Sequence, residues 1–170
     1  MILKTGSRKL LVAISVVFAG ACSSASAMTA AEKEAREIPL FDCLALMSSF
    51  VLAVQNDPAY RDNIVAIDRI YSTIGKFDAA LVATIHDNAG GAISGQNVRQ
   101  YIVAKNGEAL DRTGPITDEQ RNEGIHACYG KQDELVAQAK ELADAAFGYG
   151  SFVILSSEAE QAYRKIFKDL

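Results

Sequence analysis

The chain has 170 residues, with 21 acidic and 17 basic side chains and no tryptophan. This length suits one domain. The acidic balance argues against nucleic acids and anionic membrane surfaces as partners, because both bind clustered lysine and arginine.

The first 27 residues have the order of a secretion signal. Three basic residues (Lys4, Arg8 and Lys9) precede an apolar run from 10 to 21, and small residues follow as far as Ala27. This order directs export, and Ala25-Ser26-Ala27 fits the cleavage site. The apolar run of about a dozen residues is shorter than the roughly 20 that a membrane-spanning helix needs. We therefore expect a signal peptide of residues 1–27 and a single mature domain of residues 28–170.

Cys22 leaves a second cleavage site open. It follows the apolar run directly, where lipoprotein signals place a lipidated cysteine, and the signal would then be 1–21. The usual leucine three places earlier is replaced by Ala19. One alternative is a soluble protein of the bacterial periplasm, and the other is a protein anchored to the membrane by a lipid on Cys22. Removing residues 1–27 takes away three basic and no acidic residues, which leaves a net charge of −7.

Cys43 and Cys128 are the two cysteines left for the mature domain under either cleavage. An even number of cysteines in an oxidising compartment predicts a disulfide. Each lies on the apolar face of a predicted helix, so both sulfurs should point inward. A bridge would close a loop of about 85 residues and stabilise the domain by roughly 4 kcal/mol in the chain-entropy model.

The N-terminal part of the mature domain predicts two helices. Thr29-Ala-Ala-Glu32 is typical of a capping box and opens a short polar helix that ends near Glu37. Pro39 then suits the first turn of a separate apolar helix, which extends to about Val54.

A long helix is expected next. Asp57-Pro58 is a typical helix start, and the glycines at 90 and 91 indicate the end. The residues between them form a regular apolar seam, interrupted by Asp78. The seam consists of Tyr60, Ile64, Ile67, Tyr71, Ile74, Leu81 and Ile85.

Three more helices follow. Ser94 is expected to cap a helix that reaches about Leu110, and Thr117-Asp-Glu-Gln120 forms a second capping box for a helix that reaches about Phe147. Ser157 with Glu160 predicts a third box, opening a C-terminal helix. The fold class is all-α: an antiparallel bundle of four longer helices plus a short N-terminal and a C-terminal helix.

Catalytic and metal-binding patterns are missing from the sequence. The histidines are His86 and His126, without the spacing of zinc, di-iron or covalent haem sites. Met47 and His126 lie on facing helices, but a core methionine and a surface histidine explain them better than haem ligands. We expect no catalytic residues, no metal and no cofactor.

Two features remain as leads. Asp78 either lies at the frayed edge of the helix interface, which we favour, or is a buried carboxylate with a partner. The second lead is the most apolar segment of the mature chain, which is either core packing under the C-terminal helix or a partner-binding surface. Its apolar residues are Phe147, Tyr149, Phe152, Val153, Ile154 and Leu155.

The sequence therefore favours an exported, non-enzymatic protein that acts by contact with another envelope protein, such as an inhibitor, an immunity protein or an adaptor. The alternative is a helical bundle that binds a small molecule or a lipid in an apolar cavity.

Overall fold

The computed structural model describes residues 28–55, 64–113 and 116–168, and these residues form helices without a strand. The prediction of an all-α fold is confirmed. The leader, Cys22, the Asp57-Pro58 start and Tyr60 lie outside the described residues. The helices are α1 (Ala30–Gln55), α2 (Ile64–Asn88), α3 (Gly95–Thr113), α4 (Asp118–Phe147) and α5 (Ser151–Lys168).

The second helix, α2, lies at the centre of the domain and contacts each of the other four. The described part of its apolar seam, from Ile67 to Ile85, faces the core as predicted, and Ile74, Phe77 and Leu81 are fully buried. Alanines on its other sides are buried as well, including Ala79, Ala80 and Ala83. A helix that is apolar on all sides belongs in the interior, and these small side chains let neighbours approach closely.

Contacts along α2 give the directions of its neighbours. Arg36, near the start of α1, bonds to Asp87 at the end of α2, so these two helices are antiparallel. The α5 helix also runs against α2, because Ser156 lies beside Gly75 whereas Phe167 meets Tyr71. The α4 helix runs parallel to α2. The arrangement is compatible with the predicted bundle, with α2 as its central member.

The first helix is continuous, so the predicted short polar helix ending near Glu37 is wrong. Pro39 lies inside α1 rather than at the start of a new helix. A proline inside a helix costs about 3 kcal/mol through the lost hydrogen bond and the steric clash. Contacts on both sides offset this cost, because Glu37 bonds to α2 and the next turn buries Leu40 and Phe41.

By length and composition, α1 is the described helix that could cross a membrane. Of its most apolar window, 56% is buried inside the domain. The same helix carries Leu44 and Met47, which are fully buried. In this structure it therefore serves as a core helix.

The predicted capping patterns at Thr29, Ser94 and Thr117 agree with the helix starts, and the one at Ser157 does not. Thr29 and Glu32 bond reciprocally, as do Thr117 and Gln120, and Ser94 accepts from the amide of Asn97. The predicted box at Ser157 is wrong, because α5 begins at Ser151. The apolar run that precedes Ser157 forms the first turns of α5, since Phe152 has a place in the core.

A disulfide joins Cys43 of α1 to Cys128 of α4, which confirms the predicted pair. Both cysteines are buried in the core. The bridge spans a sequence separation of 85 residues. It holds together two helices that are antiparallel and distant in sequence.

Loss of the bridge should destabilise the domain strongly. In the chain-entropy model a loop of this length contributes about 4 kcal/mol, which corresponds to a melting temperature lower by more than about 10 °C. Peptide mapping should recover residues 43 and 128 in one linked fragment, and thermal melts with and without reductant give the shift. The double variant Cys43→Ala/Cys128→Ala is the control, and reductant should leave its melting temperature unchanged. Equal melts of the wild type in both conditions would contradict the stabilising role.

Gly75 should not tolerate a side chain. A methyl group there would clash with the carbonyl oxygen of Ser156 and lie 3.0 Å from the Cβ of Glu160, both on α5. We expect Gly75→Ala to lower the free energy of unfolding by about 1–3 kcal/mol. At Gly107 and Gly130 a Cβ would meet nothing within 4 Å. The control variants Gly107→Ala and Gly130→Ala should raise stability by about 0.5–1 kcal/mol. Urea denaturation distinguishes the cases, and a neutral Gly75→Ala would show that α5 does not pack this closely.

Candidate functional site

The predicted interaction segment divides into an inner and an outer set of side chains. Phe152 is buried in the core and Leu155 is half-buried against it, so these two side chains contribute to core packing. The other four are exposed, by 45% at Phe147, 99% at Tyr149, 65% at Val153 and 60% at Ile154. We call these four residues the α4–α5 tip.

The turn that carries Tyr149 has a well-defined backbone. Gly148 and Gly150 have φ angles of 101° and 81°, which residues with a side chain rarely adopt. Asp144 holds both glycines: its carbonyl accepts from the Gly148 amide at 3.1 Å and its side chain from the Gly150 amide at 3.0 Å. The Ser151 hydroxyl donates to the Ala143 carbonyl at 2.8 Å. The turn thus presents Tyr149 to solvent from a fixed frame.

The tip is also attached to the end of the central helix. The ring of Phe147 packs on His86 of α2, with 4.6 Å between the ring centroids. A Cβ added at Gly91 would lie 3.5 Å from Cε1 of the His86 ring, so the ring is also close to this glycine. His86 therefore packs against the tip through Phe147. This contact is the structural role of one of the two histidines.

A second feature is an open groove between α1 and α3, with a volume of about 540 Å³. Its wall contains Glu37, which is only 7% exposed. One carboxylate oxygen accepts from Asn88 at 2.7 Å and the other from the Tyr101 hydroxyl at 3.0 Å. The Phe41 ring meets the Tyr101 ring edge-on at 6.2 Å. The remaining lining residues are Ala30, Lys33, Glu34, Ile38, Asp42, Lys105 and Glu108.

Asn88, the last residue of α2, positions Glu37. Its side-chain oxygen accepts from Arg36 at 2.7 Å, and its amide nitrogen donates to both Glu37 and the Lys33 carbonyl. Arg36 is paired at the same time with Asp87, at 2.8 Å. The amide therefore fixes the orientation of the Glu37 carboxylate from a helix on the other side of α1.

The negative charge of the groove contributes to a raised pKa of the Tyr101 hydroxyl. Burial raises the pKa of Tyr101 to about 12, together with the hydrogen bond to Glu37 and the negative charges of Glu37, Glu34 and Glu108. These carboxylates surround the hydroxyl from two helices. The phenol therefore stays protonated and acts as a donor to Glu37 over the physiological pH range.

The sequence reasoning missed this groove. From the sequence, Glu37 is expected at the end of a short polar helix, and no pattern gives Tyr101 a functional role. The available signal was Asn88, a polar residue at the predicted end of the long helix. If it is buried, it needs hydrogen-bond partners on other helices. The partners themselves are set by the crossing of α1 and α3, and no local pattern encodes this crossing.

A smaller cavity of about 160 Å³ lies between α1 and α2, lined by Phe50, Val51, Val54, Ile67, Ile70 and Tyr71. Pockets for small molecules have volumes of roughly 300–1,000 Å³. The apolar lining fits the predicted lipid or small-molecule site, but this volume is too small for an ordinary ligand.

Asp78 is a buried carboxylate with a partner, so the favoured interpretation of a frayed edge is wrong. It is 6% exposed, and the Tyr163 hydroxyl donates to it at 3.3 Å. Burial raises the pKa of Asp78, against the lowering effects of the Arg99 charge and the Tyr163 hydrogen bond. Burial and the Asp78 charge also raise the pKa of Tyr163. This pair joins α2 to α5.

The residues considered as metal or haem ligands lie in different environments. Met47 is fully buried, whereas His126 is exposed on α4 and Cys128 is in the disulfide. Within residues 28–55, 64–113 and 116–168, no group of three His, Cys, Asp or Glu side chains could hold a metal ion. The absence of catalytic residues and of a cofactor stays a prediction from the sequence.

Comparisons with known proteins give no relationship: no family model, curated protein or solved structure matches this chain. The candidate sites therefore have to be interpreted from their own chemistry.

The buried carboxylate predicts a pH dependence of stability. Because the folded pKa of Asp78 is raised above the unfolded value of about 3.9, the folded state binds the proton more tightly. Its contribution is full below the unfolded pKa and is lost as the pH rises through the folded pKa. Relative to Asp78→Asn, the wild type should therefore gain stability as the pH falls from 8 to 4.5, and the full gain, reached below about pH 3.9, is about 1.4 kcal/mol for each unit of pKa shift.

Urea denaturation at several pH values measures this difference. The matched control is Asp133→Asn, which changes an exposed carboxylate on α4. Its stability should stay at a constant offset from the wild type. A constant offset for Asp78→Asn as well would show that burial does not raise this pKa.

Proposed function

We propose that this chain is an exported, non-enzymatic protein that acts by binding another protein of the bacterial envelope, and that the α4–α5 tip is its binding surface. An inhibitor, an immunity protein and an adaptor all fit this description. The full exposure of Tyr149 on a fixed turn carries the proposal.

Exposure of this kind points to a partner because the domain itself gains nothing from it. A tyrosine has a large apolar ring, and burying such a ring stabilises a protein by roughly 1.5–3 kcal/mol. Here the ring is 99% exposed, and three further apolar side chains beside it in sequence are at least 45% exposed. Tyrosine is also enriched among the residues that contribute most to binding energy at protein interfaces. A preorganised turn reduces the entropy lost on binding.

The charge of the domain indicates the chemistry of the partner. Residues 28–170 have a net charge of −7, and the helices that carry the tip have exposed acids, such as Glu141 on α4. Glu158 on α5 is exposed as well and pairs with Arg99 at 3.5 Å. We infer a partner with an apolar pocket for Tyr149 and basic residues around it. Complementary charges of this kind raise the association rate and make it sensitive to salt.

The export signal in residues 1–27 supports an envelope location, as does the long-range disulfide, because such bridges form in oxidising compartments. Two forms of this location remain in the proposal. Cleavage after Ala27 gives a soluble periplasmic protein, and lipidation of Cys22 gives an anchored one. In the anchored form, the lipid on Cys22 is the link to the membrane.

The proposal is tested by photocross-linking followed by affinity measurement. A photoreactive phenylalanine analogue at position 149 should cross-link one partner in intact cells. The same analogue at Val103, which is 72% exposed on α3, is the control and should not. With the identified partner in purified form, Tyr149→Ala should weaken binding by about 30-fold or more, which corresponds to roughly 2 kcal/mol.

Matched variants test the apolar character of the surface. Val153→Ser and Ile154→Ser should each weaken binding by about 3- to 10-fold. Val103→Ser on α3 and Ile166→Ser near the end of α5 remove the same side chains elsewhere and should change the dissociation constant by less than 2-fold. Equal cross-linking from positions 149 and 103, or equal effects of the two sets of variants, would contradict the proposal.

A further inference from the structure

We propose that the groove between α1 and α3 is a binding site for a small organic cation, an ammonium group on an apolar body, with Glu37 as its counter-ion. This site is separate from the α4–α5 tip, and the inference does not depend on protein binding there.

The buried carboxylate is the first argument. Glu37 is 7% exposed, and its hydrogen bonds come from an amide and a phenol. Both donors are neutral, so they orient the carboxylate without neutralising it. A buried charge is costly unless an opposite charge pairs with it.

The charge balance of the lining is the second argument. The glutamates Glu34, Glu37 and Glu108 line the groove, against the ammonium groups of Lys33 and Lys105, and Asp42, the fourth acid of the lining, has an interaction of its own. Lys105 is already paired with Glu108, at 2.7 Å. The pairing leaves an excess of negative charge around Glu37 and Tyr101. A cation is therefore attracted to the groove, whereas an anion of the same size is repelled.

The apolar part of the lining is the third argument, because it selects an organic cation over a metal ion. The Tyr101 and Phe41 rings meet edge-on, and Tyr101 is 38% exposed. Ala30 and the exposed part of Ile38 complete the apolar surface. An aromatic face beside carboxylates is the usual environment of a bound ammonium group, since the ring attracts the cation. The volume of about 540 Å³ suits a molecule of this class.

Asn88 acts on this site as a positioning residue. It connects Arg36 to Glu37 and holds the carboxylate toward the groove. The Arg36 guanidinium could itself neutralise Glu37, but its charge is directed to Asp87. The network thus directs the Arg36 charge to Asp87 and leaves Glu37 as a counter-ion for a ligand.

The test uses benzyltrimethylammonium as the probe, with two matched compounds. Neopentylbenzene is its neutral carbon isostere, and benzylsulfonate is an anion of similar size. Titrations followed by ¹H–¹⁵N spectra of the full protein should show saturable binding of the cation, with shifts at α1 residues 30–42 and α3 residues 101–108. The sulfonate should not bind, and the isostere should bind at least 10-fold more weakly.

Variants then assign the binding to the carboxylates. Glu37→Gln retains the shape and removes the charge: its amide oxygen can still accept from Asn88, and its amide nitrogen can donate to the Tyr101 hydroxyl oxygen. This variant should weaken binding of the cation by 10-fold or more. Glu34 is exposed, so Glu34→Gln leaves the fold intact and should weaken binding by about 3-fold. The control Glu123→Gln removes an exposed acid on α4 and should have no effect.

Three results would overturn the proposal. They are an absence of saturable binding at 10 mM benzyltrimethylammonium, equal binding of the carbon isostere, and unchanged affinity in both Glu37→Gln and Glu34→Gln. None of these results bears on the α4–α5 tip, which lies on other helices.

Discussion

Because α2 is buried along most of its length, the polar side chains on it have to find partners in the helices around it. Thr73 lies 3.3 Å from the side chain of Gln132 on α4, and Asp78 accepts from Tyr163 on α5. At its end, Asn88 bonds to Glu37 of α1. Apolar packing alone permits several alignments of neighbouring helices. Each polar contact fixes the position of one neighbour along the central helix, so the burial of α2 determines the order of the whole domain.

The two candidate binding surfaces depend on this constraint in different ways. The groove depends on it directly, since Asn88 of α2 orients the carboxylate in its wall. The tip depends on it through His86, which lies two residues earlier and supports the Phe147 ring. Both surfaces therefore lie near the same end of α2. The disulfide is buried in the core, so it covers neither surface.

Local patterns predicted the features that depend on a few neighbouring residues. The seam through Tyr71, Ile74 and Leu81 identified the buried helix, and reciprocal pairs such as Thr117 with Gln120 located helix starts. The disulfide followed from the parity of the cysteines and their places on apolar helix faces. Each of these features is set by helical periodicity or by contacts within one turn, and the sequence displays both directly.

The wrong predictions share a physical cause: contacts between helices override the conformation that the local sequence favours. Pro39 favours a helix start, but contacts of α1 with α2 on both sides keep the helix continuous. Ser157 has the pattern of a helix cap, but the helix begins at Ser151, because this start places Phe152 in the core. Asp78 is a poor residue for an interior, and Tyr163 makes its burial possible. The pairing of Glu37 with Tyr101 depends on two helices that are about 60 residues apart in sequence, so periodicity could not indicate it.

The bridge between Cys43 and Cys128 has a further consequence for the integrity of the chain. Half of the sequence, including all of α2 and α3, lies inside the loop that it closes. Hydrolysis of one peptide bond in that loop would give two chains that remain joined through sulfur. The fragments would not diffuse apart, and the core helices could stay associated by their packing. Enclosing the central helix in this way makes the domain a covalent ring, with the tip and the first turns of α1 outside it. A protease would have to cut twice within the ring to release any piece of it.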